Sequence, residues 1–245
     1  MIVEDSEFVF EAPKAISRAR RVLIKPNACQ PVPYPVTTSR QMLELIIDGI
    51  RQMSDADIIL LDGTPDGSPV KPIYQELGYI FPRVLTLDVK DCVWVEVDNP
   101  LDKPFAVPTF WVPNVILSSD YLISVTPLKV IDGQGDLSIM NLLSLLPGSK
   151  YSDDKRKGWA QLYDLGIDKV LADLYFTLPF DLGIIEARKK IISRRDAVED
   201  KVEEYGKIFI GEPYEVDTEV AETLGIKTNY LSLIKEARET LGTNI

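Results

Sequence analysis

The sequence predicts an α/β fold: an open, largely parallel sheet with helices on both faces and a small antiparallel excursion, in a single domain over residues 1–245. Three observations carry this. Short apolar runs at 22–24 and 57–61 flank one stretch of helical periodicity, the pattern of a βαβ unit with parallel strands and a right-handed crossover. Further apolar runs end in loops rich in glycine, proline and polar residues, as strands of such sheets do. A chain of 245 residues that is 45% hydrophobic and 27% charged buries a full core without outgrowing one large domain.

Val22-Leu23-Ile24 reads as a buried strand that stops at Lys25-Pro26-Asn27, because proline has no N–H to give a sheet. The proline-rich stretch at 31–35 is extended rather than helical. Thr37, Thr38 or Ser39 caps the next helix, where Met42, Leu45, Ile46 and Ile50 keep helical spacing as far as Met53. The strand at 57–61 runs into Asp62-Gly63-Thr64. A short helix at 72–77 precedes two alternating runs, 84–89 and 93–97, read as half-buried strands and a candidate hairpin. Residues 98–114 carry Phe105, Phe110 and Trp111 among prolines and read as an extended cover whose aromatics pack down.

A strand at 121–125 opens at Thr126-Pro127 into a polar loop with Lys129, Asp132, Gly133 and Gly135. Asp136 would cap an apolar helix over 137–146, closed by Pro147-Gly148. The charged run within 149–160 is a solvated loop or a lid. A helix at 161–174, a strand at 182–185, a charged helical region at 186–204 and a strand at 207–210 follow. The next helix turns Val216, Val220 and Leu224 inward, and a last helix spans 230–241.

Composition narrows the function. The net charge of −11, from 38 acidic against 27 basic residues, repels phosphate backbones and anionic lipid, so neither nucleic acid nor membrane is an expected partner. The absence of histidine excludes serine–histidine catalysis and any histidine-ligated metal. Two cysteines, Cys29 and Cys92, supply neither a disulfide framework nor a four-cysteine site. A metal would be held by carboxylates and carbonyls, favouring magnesium or calcium over zinc, with Asp62 and Asp132 as candidate magnesium ligands; no other cofactor is expected. The acidic N-terminus lacks the basic and apolar segments of a signal peptide, and no stretch approaches the ~20 apolar residues of a span, which points to the cytoplasm.

Parallel strands put their C-terminal ends on one edge, outside which open α/β sheets bind ligands. Lys25, Asn27, Asp62, Lys129, Asp132 and Asp217 would then converge on one crevice. Each loop alone is explained by turns and caps, but turns have no need of lysine, and two strand ends carry one. On the predicted apolar helix, Ser138, Asn141 and Ser144 form a polar line at spacing three. A buried amide needs a partner, so Asn141 faces a ligand, a water or backbone. Gly133-Gln134-Gly135 would offer N–H groups to an anion at the helix N-terminus, although Asp136 as cap already competes for that place. Cys29 reads as a small buried thiol.

These motifs resemble the domain of unknown function 362 family over most of the chain. The family typically has an early hydrophobic-Lys-Pro-Asn element, here Leu23-Ile24-Lys25-Pro26-Asn27. A central Pro-x-Lys follows, here Pro127-Leu128-Lys129, and then an Asn-containing helix that ends in Pro-Gly, here Asn141 to Pro147-Gly148. A late Gly-Lys-Ile…Gly…Asp segment matches Gly206-Lys207-Ile208, Gly211 and Asp217. Departures are plain: Ile131 or Asp132 stands where the family usually has a histidine, Met140 where a lysine usually precedes the helix asparagine, and Glu186-Ala187 where Asp-Gly is common. The four-cysteine iron–sulfur module of many members is missing.

The expected function is a crevice for a small anionic molecule, carboxylate or phosphate. Lys25 and Lys129 hold it, Asn27 and Asn141 orient it, and Gly133, Gly135 and Asp217 complete the binding set. Lys129, Asp132 and Asp62 are the candidates for acid–base chemistry. Two uses of the crevice stay open: an enzyme, or a non-catalytic accessory protein that takes a ligand or a partner's tail there.

Overall fold

The computed structural model describes residues 1–194 and 199–242. Near the N-terminus β1 (Ile2–Glu4) is followed by β2 (Arg21–Lys25), α1 (Arg40–Met53) and β3 (Asp57–Asp62). Strands β2 and β3 pair in parallel, Val22 opposite Ile58, so the predicted βαβ unit forms. Ser39 caps α1 by accepting from the Met42 N–H, and the helix ends at Met53 as its periodicity requires. After α2 (Lys71–Glu76), β4 (Val84–Asp88) joins β3, again in parallel.

The next two strands leave this sheet. Strand β5 (Trp94–Asp98) pairs antiparallel with β6 (Thr109–Pro113) in a separate two-stranded sheet, so the 84–89 and 93–97 runs are both strands but are not each other's hairpin. The predicted cover at 98–114 thus contains a strand, β6, with Phe110 fully buried and Lys150 Nζ 3.8 Å above the Trp111 ring. A turn of helix, α3 (Asn114–Leu117), then leads to β7 (Tyr121–Ile131).

Strand β7 pairs in parallel with β2 and with the later strand β9 (Leu182–Ser193) but does not stop at Val125. It continues through Thr126-Pro127-Leu128-Lys129, and the expected polar loop is a hairpin to β8 (Gln134–Asp136). Asp132 and Gly133 form its two-residue turn with φ of 51° and 77°, the type I′ geometry that Asp-Gly favours. Pro127 is accommodated where the β7–β9 register shifts.

The predicted helix over 137–146 is a 3₁₀ segment, Met140–Leu145, and Asp136 ends β8 instead of capping it. After α4 (Gly148–Tyr151), the helix predicted at 161–174 is two, α5 (Ala160–Asp164) and α6 (Ile167–Thr177), separated at Gly166 with φ 91°. The charged region at 186–204 is not helical where described. It forms the ends of two long antiparallel strands, β9 (Leu182–Ser193) and β10 (Lys201–Gly211), while residues 195–198 lie outside the described part. Cross-strand pairs of Lys189 with Glu204 and Lys190 with Glu203 satisfy charges that read as a helical face. Helices α7 (Pro213–Leu224) and α8 (Asn229–Gly242) end the chain.

The main sheet has the order β1-β10-β9-β7-β2-β3-β4 with β8 on β7, parallel from β9 to β4. Alternation splits its side chains between two cores. Val22, Ile24, Ile58 and Leu60 pack under α1 through Met42, Ile46 and Ile50. Leu23, Ile59, Leu61 and Leu122 face the 3₁₀ segment through Leu142, Leu143 and Leu145, with the small sheet and α6 behind. Among the described residues no helix is long and apolar enough to cross a membrane.

Candidate functional site

Lys25 is the last residue of β2 and falls on the face of Leu23, under the 3₁₀ segment. Its side chain has no solvent exposure. The ammonium lies 2.8 Å from Asp62 Oδ1 and donates to Asn141 Oδ1 at 3.1 Å and the Pro26 carbonyl at 2.6 Å. Burial pulls its pKa down, and Asp62 works against that. Asp62 also accepts from the Ala28 and Gly63 N–H groups and the Ser144 hydroxyl. The Asn141 amide nitrogen donates to the Lys25 carbonyl, Ser124 Oγ and the Val125 carbonyl. Gly63 is needed here, since a Cβ would stand 2.7 Å from the Ser144 carbonyl. Every strong donor and acceptor in this centre is spent on the protein.

A second closed centre lies at Asp217, fully buried on α7. Its carboxylate accepts from the Ser138 N–H and hydroxyl, the Ile139 N–H and the Tyr230 hydroxyl. With no cation beside it, burial raises its pKa to about 6 against the pull of those hydrogen bonds. The polar line of the sequence therefore ties the turn to the protein: Ser138 to Asp217, Asn141 to Lys25, Ser144 to Asp62.

The third centre is different. Asn27 leaves the end of β2 with its N–H bound to Thr38 Oγ1, which in turn donates to the Val125 carbonyl. Its Oδ1 accepts from Lys129 Nζ at 3.2 Å and from the Cys29 thiol at 3.8 Å. Two donors facing one atom fix the amide's orientation, so Nδ2 points the other way. Among the described residues nothing in the protein accepts from it; the residue is 8% exposed, and this nitrogen is within reach of water. Lys129 is also buried, and its one carboxylate neighbour, Asp136, is 3.9 Å away, beyond hydrogen-bonding distance. Burial pushes the Cys29 thiol up, with the Lys129 charge pulling the other way.

Asn27, Cys29 and Asp136 line a cleft of about 190 Å³. Met140, Leu143, Trp159 and Tyr163 supply most of its apolar wall, and Asp62, Asn141 and Ser144 reach it from the closed centre. Trp159 is held by its indole N–H on the Leu146 carbonyl. The charged segment before it is ordered, with Arg156 clamped between Asp153 and Asp164. A smaller pocket of about 90 Å³ lies nearby at Gly63, Thr64, Asp88 and Gly148. Its polar groups are engaged: Thr64 donates to the Ser68 carbonyl, and Asp88 accepts from the Val70 and Lys90 N–H groups.

Of the residues singled out from sequence, Asn27 and the Lys129 ammonium come together at the cleft, and Lys25, Asp62 and Asn141 join beneath it. Asp132 and Gly133 sit at the exposed turn of the β7–β8 hairpin, while Asp62 lines the cleft and Asp132 does not. Gly135 is explained by packing, because a Cβ there would press on Leu137 at 2.9 Å, and its N–H goes to the Lys227 carbonyl. Among the described residues no group of three or more acidic or cysteine side chains could hold a metal.

The sequence reading makes Asp136 a helix cap and Met140 a departure from the family pattern, and places neither these two nor Trp159 and Tyr163 in the site. Asp136 was within reach: an Asp-Gly two-residue turn at 132–133 sets 131 opposite 134 and hence Lys129 opposite Asp136, the register observed. The others come from segments whose docking no local pattern encodes.

A family profile described as Domain of unknown function (DUF362) matches residues 22–222, and the chain belongs to that family. No curated protein matches it in sequence.

Proposed function

We propose that the protein binds a small anionic ligand, a carboxylate or a phosphate, in the cleft beside Asn27 and Lys129. One observation carries this reading: the Asn27 amide N–H₂, without a protein acceptor among the described residues, stands at the cleft open to water, with the Lys129 ammonium behind it. An anion there accepts from that amide and from the ammonium in place of water, and hydrogen bonds between charged partners are the stronger kind. Lys129 keeps charge to offer, because Asp136 is too distant to form a hydrogen-bonded ion pair with it. Binding is the role assigned to the site. Among the acid–base candidates, Asp62 is locked by its four partners and Asp132 lies at a hairpin turn. Asp136 is the carboxylate at the cleft best placed to take a proton if the ligand is also transformed. The reading places the protein in the cytoplasm, where the unpaired Cys29 and Cys92 stay reduced.

The test is a thermal-shift screen of phosphates, nucleotides and small carboxylates. A ligand at about 100 times its dissociation constant stabilises the native state by ~2.7 kcal/mol, roughly 5–11 °C for a domain of this size. A true hit loses most of its shift in Lys129→Met and keeps it in Lys103→Met, an exposed control. Flat responses from wild type across the screen would end the proposal.

A further inference from the structure

We infer that the ligand is a monocarboxylate with a compact apolar body about the size of one ring, and not a phosphate or a nucleotide. This rests on the anion-binding reading and narrows it by three features of the same cleft.

The first is the wall. Besides its polar residues, the cleft is lined by Met140, Leu143, Trp159 and Tyr163, together with Ile131. Tyr163 is half exposed and Ile131 nearly so, which leaves apolar surface at the mouth for a ligand to cover. A bare anion such as acetate or inorganic phosphate would leave that surface wet. A ring attached to the carboxylate would bury it, and burial of apolar area is the main source of affinity for small ligands.

The second is charge. Lys129 faces Asp136 at 3.9 Å, and the Lys25–Asp62 pair beneath the cleft is internally neutral. Asp62 and Asp136 line the cleft while Lys25 and Lys129 stand behind it, so the four formal charges cancel and a ligand dianion is repelled more than a monoanion. A phosphate dianion would bring two charges and a third oxygen to a cleft where the Asn27 amide is the unpaired donor on the lining and the Lys129 ammonium stands behind it. The Gly133–Gly135 stretch adds no run of free N–H groups, because it belongs to the β7–β8 hairpin. One carboxylate, with two oxygens and one charge, matches that donor set.

The third is size. At about 190 Å³ the cleft is smaller than the ~300–1,000 Å³ of sites for drug-sized ligands, and too small to enclose a nucleotide.

Isothermal titration calorimetry on the whole protein separates the alternatives, with acetate, benzoate, cyclohexanecarboxylate, benzyl alcohol, inorganic phosphate and adenosine monophosphate as probes. Benzoate and cyclohexanecarboxylate are expected to bind at least ~10-fold more tightly than acetate, since a ring adds on the order of 100 Å² of buried apolar area. Benzyl alcohol and both phosphates should not bind measurably. Tyr163→Ala, at an exposed position that tolerates truncation, should weaken benzoate by roughly 3- to 10-fold and leave acetate unchanged. Met140→Gln should do the same without opening a cavity. Phosphate binding that disappears in Lys129→Met, with benzoate flat, would overturn the ligand class and leave the anion site standing. Equal affinities for acetate and benzoate would also overturn the class. Silence from every probe in wild type would remove the anion reading itself.

Discussion

Lys25 on β2 and Lys129 on β7 stand toward the same edge of the sheet, and each meets one asparagine and one aspartate. For Lys25 the pair is Asn141 and Asp62, with the carboxylate at 2.8 Å. For Lys129 it is Asn27 and Asp136, with the carboxylate at 3.9 Å. In the first set the lysine is fully buried under the 3₁₀ segment and, although Asp62 and Asn141 reach the cleft, three further donors fill Asp62. The second opens on a cleft, and its asparagine keeps a donor unspent. Chemically similar trios thus do different work: one fastens a buried turn to the sheet, the other is left incomplete at an opening. A lysine at a strand end does not by itself mark a site; its remaining partners decide.

The largest expected effect tests the closed trio. Lys25→Met leaves Asp62 buried without its cation, which costs about 3–5 kcal/mol, a fall in melting temperature of roughly 6–20 °C. Lys129→Met removes a loosely held charge and should cost about 1 kcal/mol or less. Urea denaturation of both variants measures the gap. Equal losses would erase the distinction between the two lysines.

Asp217 extends the closed class to a centre without a cation. Its carboxyl pKa is raised from 3.8 to about 6, so the folded chain holds a proton that the unfolded chain has already released over that interval. The stability tied to this proton is complete below about pH 4 and is lost as pH rises through about 6, a change on the order of 3 kcal/mol. Denaturation midpoints of wild type and Asp217→Asn between pH 4 and 8 give the slope due to this group. A difference between them that does not vary with pH would refute the assignment.

Cys29 reports on the open trio from inside. Burial raises its pKa and the Lys129 charge lowers it, so Lys129→Met should slow alkylation by iodoacetamide about threefold at pH 8 in a Cys92→Ser background. A faster reaction would mean that the substitution opens the cleft rather than removing a charge.

Much of the fold was legible because its signals are local. The runs at 22–24 and 57–61, the spacing from Met42 to Ile50 and the Ser39 cap lie within single elements, and the strands and helix formed as their patterns require. The failures share a cause. Asp132-Gly133 was weighed as part of a ligand loop when its simplest meaning was a hairpin turn, so β7 was cut short at Val125. Residues 186–204 carry charges that suit a helix surface equally well, and only pairing across β9 and β10 decides between the two. At the candidate site, the residue types Lys, Asn and Asp were readable, while the division into a sealed and an open set was not. That division depends on where the 3₁₀ segment docks, which is a tertiary fact.

The smallest expected effect bears on the open trio alone. Asp136 stands across the hairpin from Lys129 at a distance where it screens the ammonium without binding it closely. If the cleft receives an anion, Asp136 competes with it for Lys129 and repels it directly. Asp136→Asn keeps the shape of the side chain and removes that charge, so benzoate affinity should rise about two- to threefold, the scale of a partly exposed charge pair. Stability should change by no more than about 0.5 kcal/mol, because no hydrogen bond from Lys129 is lost. The gain should shrink as salt is raised, since the charges lie at an opening that water reaches. A loss of affinity in Asp136→Asn would mean that the carboxylate itself contacts the ligand, and the bound molecule would then have to carry a donor or a positive charge beside its anion.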